Sequence, residues 1–274
     1  MTRSAWIDAD GVSLRYALSG QGDRVLVLVH EMGGSIESFD CIADQLGAEF
    51  KVLRYDLRNA GLSERCPRPV TIDDLVADLS ALLARLQIQE PAIVCGAALG
   101  AAVAISFAAQ APRRTAGIVL MAPASGLSDD RKAIALARAD QVEREGVRPT
   151  ADSRLMTSYP PQMREDQARF EDVRLRRLAT DPFAIAAYTR LLAGLDLTAQ
   201  METIRCPALV LAGRHDADRM SHSVEQATAA IEGRIFKVLE TGHFMSLQTP
   251  RMVCDEILSF TTEHCFPDKK ASAS

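Results

Sequence analysis

The sequence predicts an α/β protein, a mostly parallel sheet of eight strands flanked by helices. Three observations predict it. Short apolar runs alternate in regular order with segments of helical spacing. Runs such as "RVLVLVH" are continuously apolar, as strands buried on both faces of a parallel sheet require. The alternation is interrupted once, by a long charged helical stretch after the sixth strand.

The first two strands come from "SAWIDADGVSLRYALSG", where Asp10-Gly11 between two strand-like runs reads as a hairpin turn. "RVLVLVH" is the third strand, "ESFDCIADQLG" a helix stopping at Gly47, and "FKVLRYD" the fourth strand. "TIDDLVADLSALLARLQ" is the clearest helix. Thr71 is its expected N-cap, acids fill its first turn, and Leu75, Leu79, Leu82, Leu83 and Leu86 share one face. Strand "PAIVCG", helix "LGAAVAISFAAQ" and strand "AGIVLMAP" follow. From about Ser125 to Gln200 the chain is charged, helical and arginine-rich, broken at "SYPPQ". Alternation resumes with strand "CPALVLAG", a helix near Ser223–Ile231, strand "RIFKVLE" and a last helix from Pro250. Residues 1–124 and 201–274 are therefore expected to form the sheet core. Residues 125–200 are expected to form a helical cap over the sheet's C-terminal edge, where open α/β sheets place their sites.

Composition narrows the function. With 47% hydrophobic residues among 274, a large core is available. The net charge of −5 is mild, and no basic stripe points to nucleic acid. No apolar run approaches the roughly 20 residues of a membrane span. "MTRSAWIDADG" carries no apolar signal-peptide region, so a cytoplasmic location is expected. The six cysteines form no CxxC pair and no zinc-like cluster, so reduced thiols, no metal and no cofactor are expected. "DKKASAS" is expected to be a frayed tail. The partner expected is a small-molecule substrate, without nucleic acid or membrane; a homodimer is left open.

The chemistry centres on "VCGAALGAAVA", Val94 to Ala104. A strand that reverses sharply into a helix strains the residue at its apex. It also brings the helix close to the neighbouring strand, so Gly96, Ala97, Leu99 and Gly100 around Ala98 read as a steric necessity on the glycine side. The backbone N–H of Leu99, at the helix N-terminus, is free to face an anion. A second feature is Gly242-His243 after an apolar strand, which puts an imidazole on a loop at the sheet's C-terminal edge. A carboxylate on an adjacent loop would fix its tautomer.

These features resemble the α/β-hydrolase superfamily along essentially the whole chain. "LVHEMGG" resembles its oxyanion loop, "VLRYDLRNAGLSE" its DxRGxGxS segment, and "LAGRHD" and "ETGHF" its acid and histidine loops. The small enol-lactone hydrolases of aromatic-acid breakdown, of the 3-oxoadipate enol-lactonase kind, are most similar in look, through "VLRYD" and "LDLTAQMETIRCPALVLAG". The resemblance implies Ala98 at the nucleophile position, Asp216 as acid and His243 as base. It implies oxyanion-hole N–H groups from Met32 and Leu99, and His30, Glu31, Gly33 and Arg58 as candidate pocket residues. His215 and His222 are expected at the surface.

Two residues depart from the family pattern. Ala98 has no hydroxyl or thiol, and Glu31 stands where the family usually has glycine. A solvent-facing Glu31 is the plainer expectation; turned inward, it would put negative charge where negative charge must develop. Cys95 is expected to be a buried inert thiol, and Ser35 and Ser38 to serve loop or capping roles, so no substitute nucleophile emerges. Arg164, Arg169, Arg174, Arg176, Arg177 and Arg190 are mostly solvated among interleaved acids, with one or more free to bind a substrate carboxylate. Loss of the serine from such a triad costs on the order of a millionfold in turnover. Four readings remain: a serine changed deliberately to alanine, direct attack by water, base-only lyase, decarboxylase, isomerase or oxygenase chemistry, and a non-catalytic binding protein. Hydrolysis of a lactone, ester or amide of a small carboxylate-bearing molecule leads. Retention of both Asp216 and His243 speaks against the binder.

Overall fold

The computed structural model describes residues 3–127 and 129–266. The first strands, β1 (Ser4–Asp8) and β2 (Ser13–Ser19), form the expected hairpin. Asp10 (φ 54°) and Gly11 (φ 94°) both take the left-handed conformation that two-residue turns demand. Then follow β3 (Arg24–Val29), α1 (Asp40–Leu46), β4 (Phe50–Tyr55) and α2 (Ile72–Arg85). Next are β5 (Ala92–Ala97), α3 (Leu99–Gln110) and β6 (Thr115–Met121). Helices α4 (Asp129–Glu145), α5 (Arg148–Ser158), α6 (Gln167–Leu178), α7 (Pro182–Gly194) and α8 (Thr198–Thr203) separate β6 from β7 (Ala208–Gly213). The chain continues through α9 (Ser221–Ala227), β8 (Ile235–Leu239), α10 (Met245–Gln248) and α11 (Pro250–Phe260).

One eight-stranded sheet results, in the order β1-β2-β4-β3-β5-β6-β7-β8. Only the pairings of β1 with β2 and of β2 with β4 are antiparallel; β4, β3, β5, β6, β7 and β8 run parallel. All parallel strands therefore end on one edge, and the loops leaving them meet there.

The continuous apolar runs follow from two-sided burial. In β3, Val25, Val27 and Val29 pack into one cluster with α2 and α3, while Leu26 and Leu28 pack into another with α1 and α11. Thr71 caps α2 by accepting from Asp74 N at 3.1 Å, and Leu75, Leu79, Leu82 and Leu83 are buried as their spacing requires. Each such buried leucine contributes about 1.5–3 kcal/mol.

Several boundaries differ from expectation. The helix expected over Glu37–Gly47 begins as a tighter 3-10 turn, Ile36–Phe39, before α1. The helix expected near Ser223–Ile231 is Ser221–Ala227. Beyond it the Thr228 hydroxyl bonds back to Val224 O, and Ala229 N and Ile231 N close three-residue turns onto Gln226 and Thr228. The short α10 before Pro250 was not foreseen. The tail 268–274 lies outside the described residues.

At the junction of β5 and α3 the glycines are a steric necessity. A Cβ on Gly100 would lie 2.0 Å from Val29 O, and one on Gly96 would lie 2.1 Å from Gly100 O. Gly100→Ala is expected to destabilise the fold by at least about 3 kcal/mol, because the obstructing atom is backbone. Gly194→Ala, a helical position with nothing within 4 Å, should be neutral or stabilise by up to about 1 kcal/mol. Denaturant midpoints of the two variants check this contrast.

Candidate active site

Ala98, at the apex of the turn, has φ 47° and ψ −103°, a conformation that L-residues rarely adopt. Backbone bonds hold it. Its N–H donates to Met121 O at 2.9 Å, and its carbonyl accepts from Ala101 N at 3.1 Å and Ala124 N at 3.0 Å, with Ala102 N also donating to it at 3.4 Å. Strain of this kind costs about 1–3 kcal/mol and persists only where the surroundings dictate it. Leu99 is the first residue of α3, so its N–H has no acceptor within the helix.

Asp216 and His243 stand on the loops after the neighbouring strands β7 and β8. The loops after β7 and β8 are joined by Arg214 N donating to Leu239 O at 2.9 Å and His215 N donating to Thr241 O at 3.0 Å. Gly213 permits this approach, since a Cβ there would lie 2.6 Å from Gly242 O. Asp216 Oδ2 accepts from His243 Nδ1 at 2.7 Å, while its Oδ1 accepts from Asp218 N at 2.9 Å and Arg219 N at 3.0 Å. With the proton held on Nδ1 by a fully buried carboxylate, Nε2 is the basic face of the ring. His243 lines a cavity of about 220 Å³ together with Glu31, Met32, Ala98 and Leu99. Larger cavities of about 630 and 420 Å³ lie along α7 and hold no histidine.

The charge around this cavity is one-sided. Arg131, Arg138, Arg154, Arg177 and Arg219 line it, against the carboxylates of Glu31 and Asp218. Burial pulls the Arg138, Arg177 and Arg219 guanidiniums down from their ordinary value, and the neighbouring Arg154 adds to this in each case. Nearby carboxylates oppose it, Glu31 on Arg177 and Asp216 on Arg219. All of them remain cations. Their mutual repulsion is what an anion would relieve.

Of the six arginines singled out from the sequence, only Arg177 lines this cavity, stacked over Phe244 at 5.1 Å. Arg174 pairs with Asp152 and Glu171, Arg176 with Asp172, and Arg190 with Asp140 and Glu143. Arg164 donates to Tyr159 O and Arg169 to Leu247 O. Sequence reasoning missed Arg131, Arg138, Arg154 and Arg219. A signal existed for two of them: Arg131, Ile134, Ala135 and Arg138 share one helical face, and all four line the cavity.

Three expected pocket residues are corrected. His30 is fully buried behind the loop; Nδ1 donates to Glu31 O at 2.7 Å and Nε2 accepts from Leu57 N at 3.0 Å, so the ring is a neutral brace. Arg58 faces inward, donating to both carboxylate oxygens of Asp78 at 2.6 Å, and this bond holds its guanidinium above the ordinary value. Gly33 borders the 420 Å³ cavity instead. Glu31 is not solvent-facing either: it is only 7% exposed and accepts from Ser38 Oγ at 3.0 Å. Cys95 is fully buried and its thiol is pushed well up by burial; Ser35 donates to Glu37 Oε2. His215 bonds Glu240 at the surface, and His222 is exposed. All six cysteines are free, and no metal-ligand cluster occurs among the described residues.

A strained strand-to-helix elbow, with an Asp–His pair on the next loops of a mostly parallel sheet, defines an α/β hydrolase. The chain belongs to the family described as serine aminopeptidase, S33, whose model matches residues 20–234. Among curated relatives it is 30% identical over 265 residues to the dihydrolipoyllysine-residue acetyltransferase component of the acetoin cleaving system of Pseudomonas putida. That match covers 91% of this chain but only 66% of the relative, so the chain spans about two thirds of that protein's length. It is 27% identical to 3-oxoadipate enol-lactonase 2 of Acinetobacter baylyi, over 89% of this chain and 91% of the relative. The solved enol-lactonase of Burkholderia xenovorans superposes with a TM-score of 0.89 at 24% identity, over 94% of this chain and all of that one, which shows the shared fold. The protein is thus an α/β hydrolase, similar to enol-lactonases in sequence and in fold.

Two outcomes follow from the geometry. Asp78→Ala should cost about 3–5 kcal/mol by leaving Arg58 buried and unpaired, read from the unfolding midpoint. Ala98→Gly should raise the melting temperature, because release of a strain of about 1–3 kcal/mol exceeds the entropy that glycine adds to the unfolded chain.

Proposed function

We propose that this protein hydrolyses a small carboxylate-bearing lactone or ester by direct attack of water, without a covalent intermediate. One observation carries the reading. His243, with its tautomer set by Asp216 at 2.7 Å, lines the cavity beside the methyl group of Ala98. No acyl-enzyme can form on alanine, so the group that His243 Nε2 deprotonates is water. The backbone N–H groups of Met32 and Leu99 receive the carbonyl oxygen as its charge grows. The guanidiniums of Arg138 and Arg177 bind the substrate carboxylate, with the segment 125–200 serving as the cap that carries them. The similarity to 3-oxoadipate enol-lactonase 2 supports a lactone substrate. A cytoplasmic place in aromatic-acid breakdown is part of the same proposal. No helix among the described residues is long and apolar enough to cross a membrane.

A second reading uses the same groups. The alanine apex equally suits a base-only reaction through an enolate, such as decarboxylation or isomerisation, in which Nε2 moves a proton and no bond to the protein forms.

Turnover in ¹⁸O-labelled water separates the two. Hydrolysis places one labelled oxygen in the product carboxylate; product formed without label would sink the hydrolase reading in favour of the lyase. His243→Ala should lower kcat by roughly 10²–10⁴-fold, the usual worth of a general base. Arg177→Met should raise KM by about tenfold or more, since a charge-assisted bond contributes about 1.5–3 kcal/mol.

A further inference from the structure

Glu31 is a buried carboxylate that this mechanism does not use, and its setting points to a role. It lies on the loop that carries Met32, and it lines the arginine-ringed cavity. It also lines a second cavity of about 10 Å³, shared with Ala98, His243 and Ser246. That is roughly the room one water molecule needs.

The loop is built to keep the side chain there. Ser38 Oγ donates to Glu31 Oε1 at 3.0 Å, and Ser38 is itself tied down where Ser246 Oγ donates to its carbonyl at 2.9 Å. Gly34 leaves the space: a Cβ there would lie 2.7 Å from both Glu31 Cδ and Oε1. No Lys, Arg or His nitrogen among the described residues comes within 4.0 Å of the carboxylate. Oε2 has no hydrogen-bond partner among them and is not one of the sealed-off polar atoms, and the cavities that Glu31 lines include one of about 20 Å³ beside Gly34 and Ser38. A buried carboxylate held by one hydroxyl and lacking an ion pair is a poor structural element.

Chemistry links Glu31 to Ala98. A serine hydroxyl is tethered and has one proton, which the imidazole takes. A free water has two protons and no tether, so orienting it requires a second acceptor. We infer that Glu31 is this acceptor and a catalytic residue, holding the attacking water over the Ala98 methyl group while His243 removes its other proton. The two departures from the family pattern are then one compensation. The inference rests on the water-attack reading above.

The step balances with no further reactant. Water loses one proton to His243 Nε2 as its oxygen bonds to the acyl carbon, and the carbonyl π pair moves to the oxygen facing Met32 N and Leu99 N. That pair then returns, the bond from the acyl carbon to the leaving oxygen breaks, and the imidazolium gives its proton to that oxygen. Glu31 accepts a hydrogen bond from the second water proton throughout and is unchanged at the end. Its negative charge near the oxyanion is offset by the arginines of the cavity wall, Arg177 foremost.

Two measurements on the full chain test this. The first is a pair of high-resolution crystal structures, of the native protein and Glu31→Ala. The native structure should show a water within hydrogen-bond distance of Glu31 and His243 Nε2, and Glu31→Ala should lose it with the fold unchanged. The second is hydrolysis of a 4-nitrophenyl ester carrying a free carboxylate. Glu31→Ala should lower kcat by on the order of 100-fold with KM within about threefold, as loss of a group acting on the attacking water predicts. Glu31→Gln, which keeps the size and an acceptor oxygen, should recover part of that loss. A water retained in Glu31→Ala, or a kcat unchanged in it, overturns the inference even where native turnover incorporates labelled oxygen. Failure of the hydrolase reading appears separately, as native turnover without label.

Discussion

The site depends on the close approach of α3 to the ends of β3 and β5. Gly96 and Gly100 allow it, because the carbonyls of Gly100 and Val29 occupy the places where their Cβ atoms would stand. That contact forces Ala98 to φ 47°, and so sets its methyl group and the free N–H of Leu99 toward the sheet's C-terminal edge. Because β3 is the strand approached, the loop that follows it, with Glu31 and Met32, is brought to the same edge. The fold thus builds a strained elbow and places at its apex an alanine, which has neither hydroxyl nor thiol.

A second layer braces that geometry with buried polar groups. Asp56 is fully buried and accepts from Ile36 N at 2.7 Å and Leu62 N at 2.8 Å, binding the segment after β3 to the segment after β4. Gly61 makes room, since a Cβ there would lie 2.1 Å from Asp56 Oδ2. His30 reaches from one loop to the other through Leu57 N, and Tyr188 of α7 donates to the carbonyl of Arg58. Residues that resemble pocket groups in sequence are therefore struts in space. Satisfied networks of this kind rigidify a site and hold its groups in fixed relative positions.

Much of this was legible beforehand, and the reasons differ by element. The central strands β3, β5, β6 and β7 declared themselves because burial on both faces leaves almost no polar position. Helix α2 declared itself through Thr71, Asp74 and its leucine stripe. The elbow, Asp216 and His243 were legible because each sits at a strand end, where chain order and spatial order coincide. The boundary of α9 was misread because Ala229 N and Ile231 N turn to the carbonyls three residues back, Gln226 and Thr228, a local choice that periodicity does not encode. His30 and Arg58 were misread because a polar side chain near a site is described equally well by facing inward or outward. Only partners distant in sequence, Leu57 and Asp78, decide between the two.

The sequence by itself determined the α/β layering, the strained turn with alanine at its apex, and Asp216 and His243 on their loops. Those features follow from local sterics, periodicity and chain order. Tertiary structure alone decided the electrostatics. Arg131 and Arg138 of α4, Arg154 of α5, Arg177 of α6 and Arg219 after β7 converge on one cavity, while the other arginines of α6 and α7 find acids or carbonyls nearer by. It also decided that Glu31 turns inward, held by Ser38 beside Ala98 and His243. Charge acts through distance and burial, and neither is written in the order of residues along the chain.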